Sequence, residues 1–466
     1  MAPATKSQKQ DDVGIVPYDT DKNRRKSDSM TPRKAAVLSL NSAVKNGRFV
    51  NLELDSSIKK YGFEDKDKSF FTFLLYGTVE RKITLDYIIK KLSSVAFEKI
   101  EPMVLCILET GLFQIFFMDR VPDSAACNEA TELVKTMCPK SYAGYVNGVM
   151  RSAVRQKEEI VKEIASLKGN FGISIKYSVP EWLCELWDKD YGCAENIVKA
   201  LCEKIPHVTL RVNTLKIQAS ELCEKLDKSA HAKVLSDCSV SVSGASSIPE
   251  LYGYNEGLFF VQDIASTLCS SLVSKESVKT KRPIVVDTCS CPGGKSFSAA
   301  INLGDECEIH SFDLHKNRLS LVNGGAERLG LKSIVTEARD GRTPDESLFE
   351  KADAVICDVP CSGLGVIAKK PDIRYKKKED IEKLPEVQRA ILEASSNYVK
   401  KGGFIVYSTC TLNRAENEDV VEAFLKENNE FSLCPTGLYG DEKGMVTFLP
   451  HKTGTDGFFA AKLVRK

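Results

Sequence analysis

The sequence predicts a doubly wound α/β domain at the C-terminal end of the chain, preceded by an all-α domain and a small α+β domain. Two observations support this fold class. After residue 281 short hydrophobic runs alternate with helical stretches, which is typical of a parallel sheet covered by helices on both faces. Before residue 165 apolar residues repeat at helical spacing with few strand-like alternations. A length of 466 residues corresponds to about three domains.

Composition restricts the class of protein. Lys and Arg number 65 and Asp and Glu 64, a formal net charge of +1, so a nucleic-acid partner has to be held by local basic patches. Sixteen cysteines without an N-terminal signal pattern indicate a reducing cytoplasm rather than a disulfide framework. Without a Cys-x-x-Cys pair, and with five histidines, a zinc site is not expected. We therefore expect a cytoplasmic monomer with no metal and no membrane partner.

Residues 1–29 are polar, contain the charged cluster Asp21-Lys-Asn-Arg-Arg-Lys26, and are predicted to form a flexible tail. A helix is predicted to begin at Thr31-Pro32, because a capping residue followed by proline marks a helix start. Residues 30–165 are predicted to be an all-α bundle, with further helical periodicity at residues 70–79, 85–92, 104–118 and 145–154. The apolar run 104–118 is short and interrupted by Glu109 and Gln114, which favours a core helix over a membrane span.

Residues 166–280 are predicted to form the α+β subdomain. The segment Tyr177-Ser-Val-Pro-Glu-Trp182 leads into a helix, and strand-like pieces follow at residues 208–212, 239–242 and 258–261. Arg211 and Asn213 at the first of these strands are candidate RNA contacts. The alternative is that they are ordinary polar residues exposed at a strand end.

Residues 281–466 are predicted to form the doubly wound domain. Its predicted strands are residues 284–287, 308–313, 334–340, 354–358 and 404–407. Two closing pieces, residues 445–449 and 458–464, are predicted to add a hairpin at the sheet edge.

A glycine-containing loop, Asp287-Thr-Cys-Ser-Cys-Pro-Gly-Gly-Lys295, follows the first of these strands and opens a helix. Gly293 and Gly294 permit positive φ and close approach of a ligand to the backbone, and the helix start offers free N–H groups. The loop is not a Walker loop, because the position five residues before Gly294 is Cys289 and not glycine. It is also not Gly-x-Gly-x-x-Gly, which disfavours NAD.

Acidic residues end the next two strands. Asp313 suits ribose hydroxyls, and Asp340 suits an adenine amino group. Either acid alone is also explained as a helix cap. Loop and acids together indicate a nucleoside cofactor bound without phosphates, which points to S-adenosylmethionine.

Two cysteines follow the last two parallel strands, Cys361 in Asp358-Val-Pro-Cys-Ser-Gly363 and Cys410 in Ser408-Thr-Cys-Thr411. Both lie in turn-like settings, although inert core cysteines remain the alternative. A thiolate that adds to carbon 6 of a pyrimidine makes carbon 5 nucleophilic towards a methyl sulfonium. Asp358 beside the ring is placed to hold the ring nitrogen and the exocyclic amine.

Over residues 170–466 the motifs at Asp287–Lys295, Asp313, Asp340, Asp358–Gly365, Ser408–Thr411 and Asp456–Phe459 resemble the RNA 5-methylcytosine methyltransferases of the RsmB/Nop2/Sun family. The continuation Gly365-Val-Ile-Ala-Lys-Lys-Pro-Asp-Ile-Arg374 is similar to the branch that acts on 16S rRNA. The N-terminal bundle resembles the NusB domain, with Tyr145-Val-Asn-Gly-Val-Met-Arg151 near its end. One departure is Ser290-Cys291, where the family usually has two alanines.

The resemblance implies a Rossmann-like, class I S-adenosylmethionine-dependent fold for the C-terminal domain and RNA binding by the two domains before it. It implies that Cys410 is the nucleophile and that Cys361 assists product release. It also implies a cofactor wall formed by Cys289, Ser290, Cys291, Pro292, Gly293, Gly294, Lys295, Asp313, Arg318, Asp340 and Asp358.

A basic segment after Cys361 is the second candidate RNA contact, with a solvated charged loop as the alternative. It has a local net charge of +5 from one acid and six basic residues, which are Lys369, Lys370, Arg374, Lys376, Lys377 and Lys378. The predicted activity is methylation of a specific cytosine in small-subunit (16S) rRNA. The alternatives are a methyltransferase for tRNA or another RNA, a DNA enzyme with Cys361 as nucleophile, and a non-catalytic RNA-binding or antitermination protein.

Overall fold

The computed structural model describes residues 30–46, 50–203, 208–226, 230–244 and 247–466. The predicted tail at residues 1–29 lies outside the described residues. The described chain groups into two compact units. One contains the residues up to Gly77 together with Glu98–Arg151, and the other contains Thr78–Phe97 and Ser152–Lys466. The division into domains at residues 165 and 280 stays a prediction.

The N-terminal part is helical, as predicted. Its helices are α1 (Pro32–Asn46), α2 (Val50–Tyr61), α3 (Asp65–Glu80), α4 (Lys82–Leu92), α5 (Pro102–Phe117), α6 (Asp123–Met137) and α7 (Tyr142–Arg155). Helix α1 begins where the sequence predicts it, and the Lys34 N–H donates to Thr31 Oγ1 at 3.2 Å. Gly77 of α3 lies against Phe113 of α5, because a Cβ there would be 2.0 Å from the ring.

Helix α5 is a core helix, as its apolar sequence predicts. Ile107, Leu108 and Leu112 are buried, and so are the two polar residues Glu109 and Gln114. No helix in the described part of the chain has both the length and the apolar character needed to cross a membrane.

A second helical group leads into a four-stranded antiparallel sheet. The helices are α8 (Lys157–Ser166), α9 (Gly169–Tyr177), α10 (Glu181–Tyr191), α11 (Ala194–Cys202) and α12 (Ala219–Leu226). The strands are β1 (Val208–Val212), β2 (His231–Ser236), β3 (Ser239–Ser243) and β4 (Phe259–Val261), in the order β2-β3-β1-β4. The three predicted strands are confirmed. Strand β2 is not predicted from the sequence, because most of its residues are exposed and carry little apolar alternation.

The C-terminal part is built on an eight-stranded sheet with helices around it. The helices are α13 (Ile264–Ser270), α14 (Gly294–Asn302), α15 (Leu319–Leu329), α16 (Lys378–Ile381), α17 (Leu384–Ser396), α18 (Glu418–Glu427) and α19 (Pro450–Thr453). The strands are β5 (Ile284–Asp287), β6 (Glu308–Asp313), β7 (Ile334–Ala338), β8 (Ala352–Asp358), β9 (Val399–Thr409), β10 (Phe431–Leu433), β11 (Met445–Phe448) and β12 (Phe458–Arg465).

The strand order is β10-β12-β9-β8-β5-β6-β7, with β11 also paired to β12. The five predicted strands run parallel. Strands β11 and β12 pair antiparallel, as the predicted hairpin requires, but β12 lies between β9 and β10 instead of at the edge. The sheet is therefore mixed rather than purely parallel. The interior place of β12 agrees with the burial of residues 458–461, which are covered on both faces of the sheet.

Candidate active site

The loops that carry the predicted site meet at one edge of the large sheet. Strand β8 pairs with β5 on one side and with β9 on the other, all in parallel, so the chain leaves all three strands at the same end. The chain winds outward from β5 to β6 and β7, then returns to β8 and β9. A reversal of this kind creates the crevice where open α/β sheets bind ligands.

A cavity of about 210 Å³ lies in this crevice. It is lined by most of the predicted loop together with neighbouring residues: Val261, Gln262, Asp263, Ser266, Asp287, Cys289, Ser290, Cys291, Pro292, Gly294, Lys295 and Asp358. The structure thus brings the loop after β5 and the acid at the end of β8 to one wall, as predicted.

The glycine loop is fixed by its own backbone. Ser290 N donates to Phe312 O of β6 at 2.8 Å, and Gly293 N donates to Ser290 O at 2.6 Å. Gly293 has a φ of +112°, and a Cβ at this position would lie 2.3 Å from the Phe297 ring. Only glycine meets both conditions. Helix α14 begins at the next residue, so its free N–H groups face the ligand crevice.

Asp287 is a buried acid of this wall on which the Lys295 ammonium acts electrostatically without a direct ion pair. Its side chain is fully buried and accepts from Ser296 Oγ at 2.6 Å and from Cys289 N at 3.4 Å. Burial raises the pKa of Asp287 to about 7. No ion pair involves it among the described residues, so a cationic group in the cavity would complement it.

Asp313 and Asp340 follow the next two strands without lining the cavity. Asp313 is buried, and Arg318 joins it to the glycine loop, with Nη1 3.6 Å from Asp313 Oδ2 and Nη2 3.5 Å from Cys291 O. Asp340 lies two residues beyond β7, where Arg342 Nη2 contacts its Oδ2 at 2.6 Å. This hydrogen bond lowers the pKa of Asp340.

Lys295 and Asp358 form a pair on the cavity wall. Lys295 Nζ lies 2.6 Å from Asp358 Oδ2 and 5.0 Å from the centre of the Phe458 ring, and the lysine is buried. Burial acts to lower the pKa of Lys295, but Asp358, together with Cys269 and Asp287, outweighs it and the pKa is raised. Ser408 Oγ donates to the other oxygen of Asp358 at 2.7 Å. Because the Lys295 charge is already paired with the Asp358 carboxylate, Lys295 is not available to bind a phosphate.

The two predicted cysteines meet next to this pair. Cys361 Sγ lies 3.2 Å from Cys410 Sγ, and both residues are partly buried. The hydrogen bond from Cys361 lowers the pKa of Cys410 despite its burial, with Lys295 and Lys370 acting in the same direction. The same hydrogen bond, together with burial and nearby carboxylates, raises the pKa of Cys361. The pair therefore favours a Cys410 thiolate beside a Cys361 thiol.

Sequence reasoning missed two buried residues that hydrogen-bond to the cysteine turns. Glu416 accepts from Ser362 N at 2.8 Å, and Asn417 Nδ2 donates to Thr411 O at 3.1 Å. The available signal was the polar run that ends in these two residues immediately before α18. Such a run is also what an ordinary helix start looks like, and its long-range contacts do not show in the sequence.

The predicted RNA contacts of the small sheet are part of its interior. Arg211 is buried and donates to Asn302 Oδ1 at 2.7 Å and to Cys238 O at 3.2 Å. Asn213 is fully buried, and its Nδ2 lies 3.0 Å from Leu329 O. The structure does not expose either side chain to a partner, because both satisfy buried backbone or amide groups.

Half of the basic segment is engaged in contacts with the rest of the protein. Arg374 is buried and donates to four backbone carbonyls, including Glu80 O at 2.9 Å and Ser178 O at 3.2 Å. Lys369 pairs with Asp263 at 2.8 Å and with Asp456, and Lys376 Nζ donates to Ser362 O at 2.9 Å. These three residues hold the segment in place, which leaves three exposed lysines available to a polyanion: Lys370, Lys377 and Lys378.

No group of three or more potential metal ligands occurs among the residues that the structure describes.

Comparison with known families gives three matches along the chain. The profile described as 16S rRNA methyltransferase RsmB/F matches residues 278–464. The profile of the NusB family matches residues 30–155, and a ferredoxin-like domain of RsmF/B-like methyltransferases matches residues 179–242.

A curated relative is similar over nearly the whole chain. The probable ribosomal RNA small subunit methyltransferase B of Bacillus subtilis is 34% identical over 457 residues, covering 93% of this chain and 98% of the relative. The crystal structure of PH0851 is similar with a TM-score of 0.76 at 24% identity, covering 94% of this chain and 99% of that one. That of NSun6 from Pyrococcus horikoshii with SFG is similar with a TM-score of 0.52 at 23% identity, covering 61% and 98%. The two structures show a common fold.

Proposed function

This chain belongs to the 16S rRNA methyltransferase RsmB/F family, and from that membership we propose that it methylates carbon 5 of a cytosine in small-subunit (16S) rRNA, using S-adenosylmethionine. The observation that carries the proposal is the cysteine pair. The sulfurs of Cys361 and Cys410 lie 3.2 Å apart, near Asp358 on the wall of a cavity that combines a glycine loop with carboxylates. That arrangement suits covalent activation of a ring next to a cationic cofactor.

The cavity wall fits this cofactor. Asp287 is a buried acid with no direct ion pair among the described residues and suits the positively charged end. Asp313 does not line the cavity, but Arg318 joins it to the glycine loop, and we propose that it holds the ribose hydroxyls. Lys295 is already neutralised by Asp358, in keeping with a ligand that carries no phosphate. S-adenosylmethionine supplies an electrophilic methyl group when it is bound. We propose that the glycine loop, Arg318 and Asp340 complete its site.

Cys410 is the proposed nucleophile. Its thiolate adds to carbon 6 of the cytosine, and the electron pair of the 5,6 double bond then makes carbon 5 reactive enough to take the methyl group. The ring nitrogen takes up a proton as the thiolate adds, and Asp358, next to the pair, can accept hydrogen bonds from that N–H and from the exocyclic amine; the ring nitrogen loses this proton again in the release step. Lys295 keeps this carboxylate oriented, since its Nζ lies 2.6 Å away.

Cys361 is proposed to assist the release step. A base removes the proton from carbon 5, the 5,6 double bond forms again, and the bond between carbon 6 and sulfur breaks. Cys410 leaves as a thiolate, and the Cys361 S–H, 3.2 Å from it, donates a hydrogen bond to the departing sulfur. One proton is released overall for each methyl group transferred.

The RNA is proposed to contact the exposed lysines of the basic segment. Lys370 acts electrostatically on Cys410, which places a cation close to the reacting sulfur. Lys377 and Lys378 are exposed further along the same segment. The cytosine has to leave its stack to reach Cys410, and phosphate contacts beside it would hold the strand. We further propose that the NusB-like and ferredoxin-like parts bind RNA.

The proposal is tested by methyl transfer from labelled S-adenosylmethionine to unmodified 16S rRNA transcribed in vitro. Nuclease digestion should place the label in 5-methylcytosine at one position, and the Cys410→Ala protein should transfer none. A 23S rRNA transcript and a tRNA transcript are the matched substrate controls. No transfer to any RNA would contradict enzymatic activity, whereas transfer to tRNA alone would contradict the assignment to the small subunit.

A further inference from the structure

We propose that Glu416, with its neighbour Asn417, is a positioning residue that sets the unequal roles of the two cysteines. Glu416 fixes the turn around Cys361 and keeps that cysteine as the protonated partner of Cys410. The consequence for catalysis rests on the proposed function, whereas the consequence for the two thiols can be measured on the protein alone.

Glu416 is a fully buried carboxylate that accepts four hydrogen bonds. The donors are Ser362 N at 2.8 Å, Ser362 Oγ at 2.5 Å, Gln388 Nε2 at 2.9 Å and Asn413 Nδ2 at 2.9 Å. Three of these groups can only donate, so both carboxylate oxygens act as acceptors and the side chain is ionised. No ion pair offsets this charge among the described residues. A charge buried on neutral donors alone acts on its surroundings with little screening.

The four donors tie down both sides of Cys361. Ser362, the next residue, is held through its N–H and its hydroxyl. Gln388 Nε2 donates to Glu416 and also to the carbonyl of Pro360, the preceding residue, at 2.9 Å. Glu416 therefore fixes the backbone after the sulfur directly and the backbone before it through Gln388.

Asn417 holds the turn of Cys410 in the same manner. Its Oδ1 accepts from Thr409 Oγ1 at 2.5 Å and its Nδ2 donates to Thr411 O at 3.1 Å, so Asn417 directly contacts the residues on both sides of the cysteine. The two turns are joined directly, since Ser362 Oγ and Thr411 Oγ1 lie 2.7 Å apart. Adjacent residues thus hold the two turns in one network, in which the sulfurs are 3.2 Å apart.

The charge of Glu416 also separates the two thiols chemically. The hydrogen bond with Cys410 and burial raise the pKa of Cys361, and Glu416 and Asp358 add to that effect. Glu416 is not among the groups that act most strongly on Cys410, where Lys295 and Lys370 oppose Asp358. Removing the Glu416 charge should therefore make Cys361 more acidic with little direct effect on Cys410.

A role confined to folding predicts something different. In that case Glu416→Gln would lower stability and leave the relative reactivity of the two thiols unchanged. Glu418→Gln is the matched control, because Glu418 is a partly buried acid two residues away. Its Oε1 accepts from Thr447 Oγ1 at 2.8 Å.

The test is alkylation of the full chain by iodoacetamide between pH 6 and pH 9, with each cysteine quantified by peptide mass spectrometry and Cys434 as internal standard. We expect Cys410 to react well before Cys361 in the unaltered protein and in Glu418→Gln. In Glu416→Gln the ratio of the two rates near pH 7.5 should fall about tenfold, which corresponds to one pKa unit. An unchanged ratio would overturn the proposal.

Ser362→Ala keeps the test decisive if Glu416→Gln does not fold. This variant removes the link between the two turns at Thr411. The hydrogen bond between the sulfurs, which is the largest cause of their unequal pKa values, should then weaken and the ratio should fall. A ratio equal to that of Glu418→Gln would refute the proposal. In methylation assays Glu416→Gln should also accumulate more covalent RNA adduct than Glu418→Gln. If the unaltered protein transfers no methyl group, the proposed function fails, while the alkylation ratio still decides the role of Glu416.

Discussion

Replacing Asp287 by asparagine should remove a pH dependence from the binding of S-adenosylmethionine. Asp287 is fully buried, and burial raises its pKa to about 7. In the free protein the side chain is therefore neutral at pH 6 and ionised at pH 8. A cationic ligand binds the ionised form more tightly, so affinity should increase as the pH rises through 7.

The size of the effect follows from the ionised fraction of Asp287. With a pKa of about 7 in the free protein, roughly one-tenth of the molecules are ionised at pH 6 and roughly nine-tenths at pH 8, so Kd should fall about tenfold over that interval. By the same linkage, the stability that Asp287 contributes without cofactor is fully present below its unfolded pKa of about 3.9 and is lost as the pH rises through about 7.

Isothermal titration calorimetry at pH 6, 7 and 8 measures the Kd of the unaltered protein and of Asp287→Asn. The asparagine protein controls for titration of the cofactor's own amino group, which affects both proteins equally. We expect the ratio of the two Kd values to change about tenfold between pH 6 and pH 8. Parallel profiles for the two proteins would refute the assignment of Asp287 to the cationic end of the cofactor.

Three further substitutions test other parts of the site. Lys295→Met leaves Asp358, which is about one-third exposed, without its cation, and should reduce methyl transfer. The free energy of unfolding, measured with urea, should fall by about 1–2 kcal/mol, because water screens part of the lost interaction. Arg374→Met leaves four buried carbonyls without their donor and should cost about 3 kcal/mol, with no change in the salt dependence of RNA binding. Lys377→Gln with Lys378→Gln should weaken RNA binding and reduce the slope of log K against log salt by about 1.5–2.

Matched controls exist for the Lys295 and the Lys377–Lys378 substitutions. Lys275→Met removes an exposed pair with Glu306 at 3.4 Å and should change stability by less than about 0.5 kcal/mol. Lys332→Gln with Lys401→Gln removes two exposed charges near the first residues of β7 and β9, at the end of the sheet away from the cysteines. This double variant should leave RNA binding unchanged. Equal effects in the control and test variants would contradict these assignments. A smaller slope of log K against log salt for Arg374→Met would show that Arg374 contacts RNA after all.

Local patterns predicted the parts of this protein that depend on neighbouring residues in the chain. The strand before Asp287, the glycine loop and the turn at Cys361 each show in a few consecutive residues, and parallel strand order then brings them together. Asn213 was interpreted as exposed because its contact with Leu329 O joins residues 116 positions apart. Glu416 escaped notice for the same reason, since its contacts with Ser362 span 54 positions.

The predicted position of β12 at the edge of the sheet was wrong for a related reason. A hairpin at an edge and a strand inserted beside β9 share the same alternating pattern, and only burial of residues 458–461 on both faces separates them. Arg374 shows why the role of a charged residue is hard to predict from sequence alone. Its place in a basic run suggested phosphate binding, whereas its guanidinium satisfies carbonyls that the fold buries.

The unequal roles of the two cysteines, attack on the cytosine by Cys410 and release of the methylated RNA assisted by Cys361, can be measured directly. The most direct measurement uses the Cys361→Ala protein with S-adenosylmethionine and unmodified 16S rRNA, followed by denaturation, digestion and mass spectrometry of the cross-linked peptide. We expect an RNA adduct on the peptide that contains Cys410, and no adduct in the Cys410→Ala protein. An adduct that forms on Cys361 in the Cys410→Ala protein would contradict these roles.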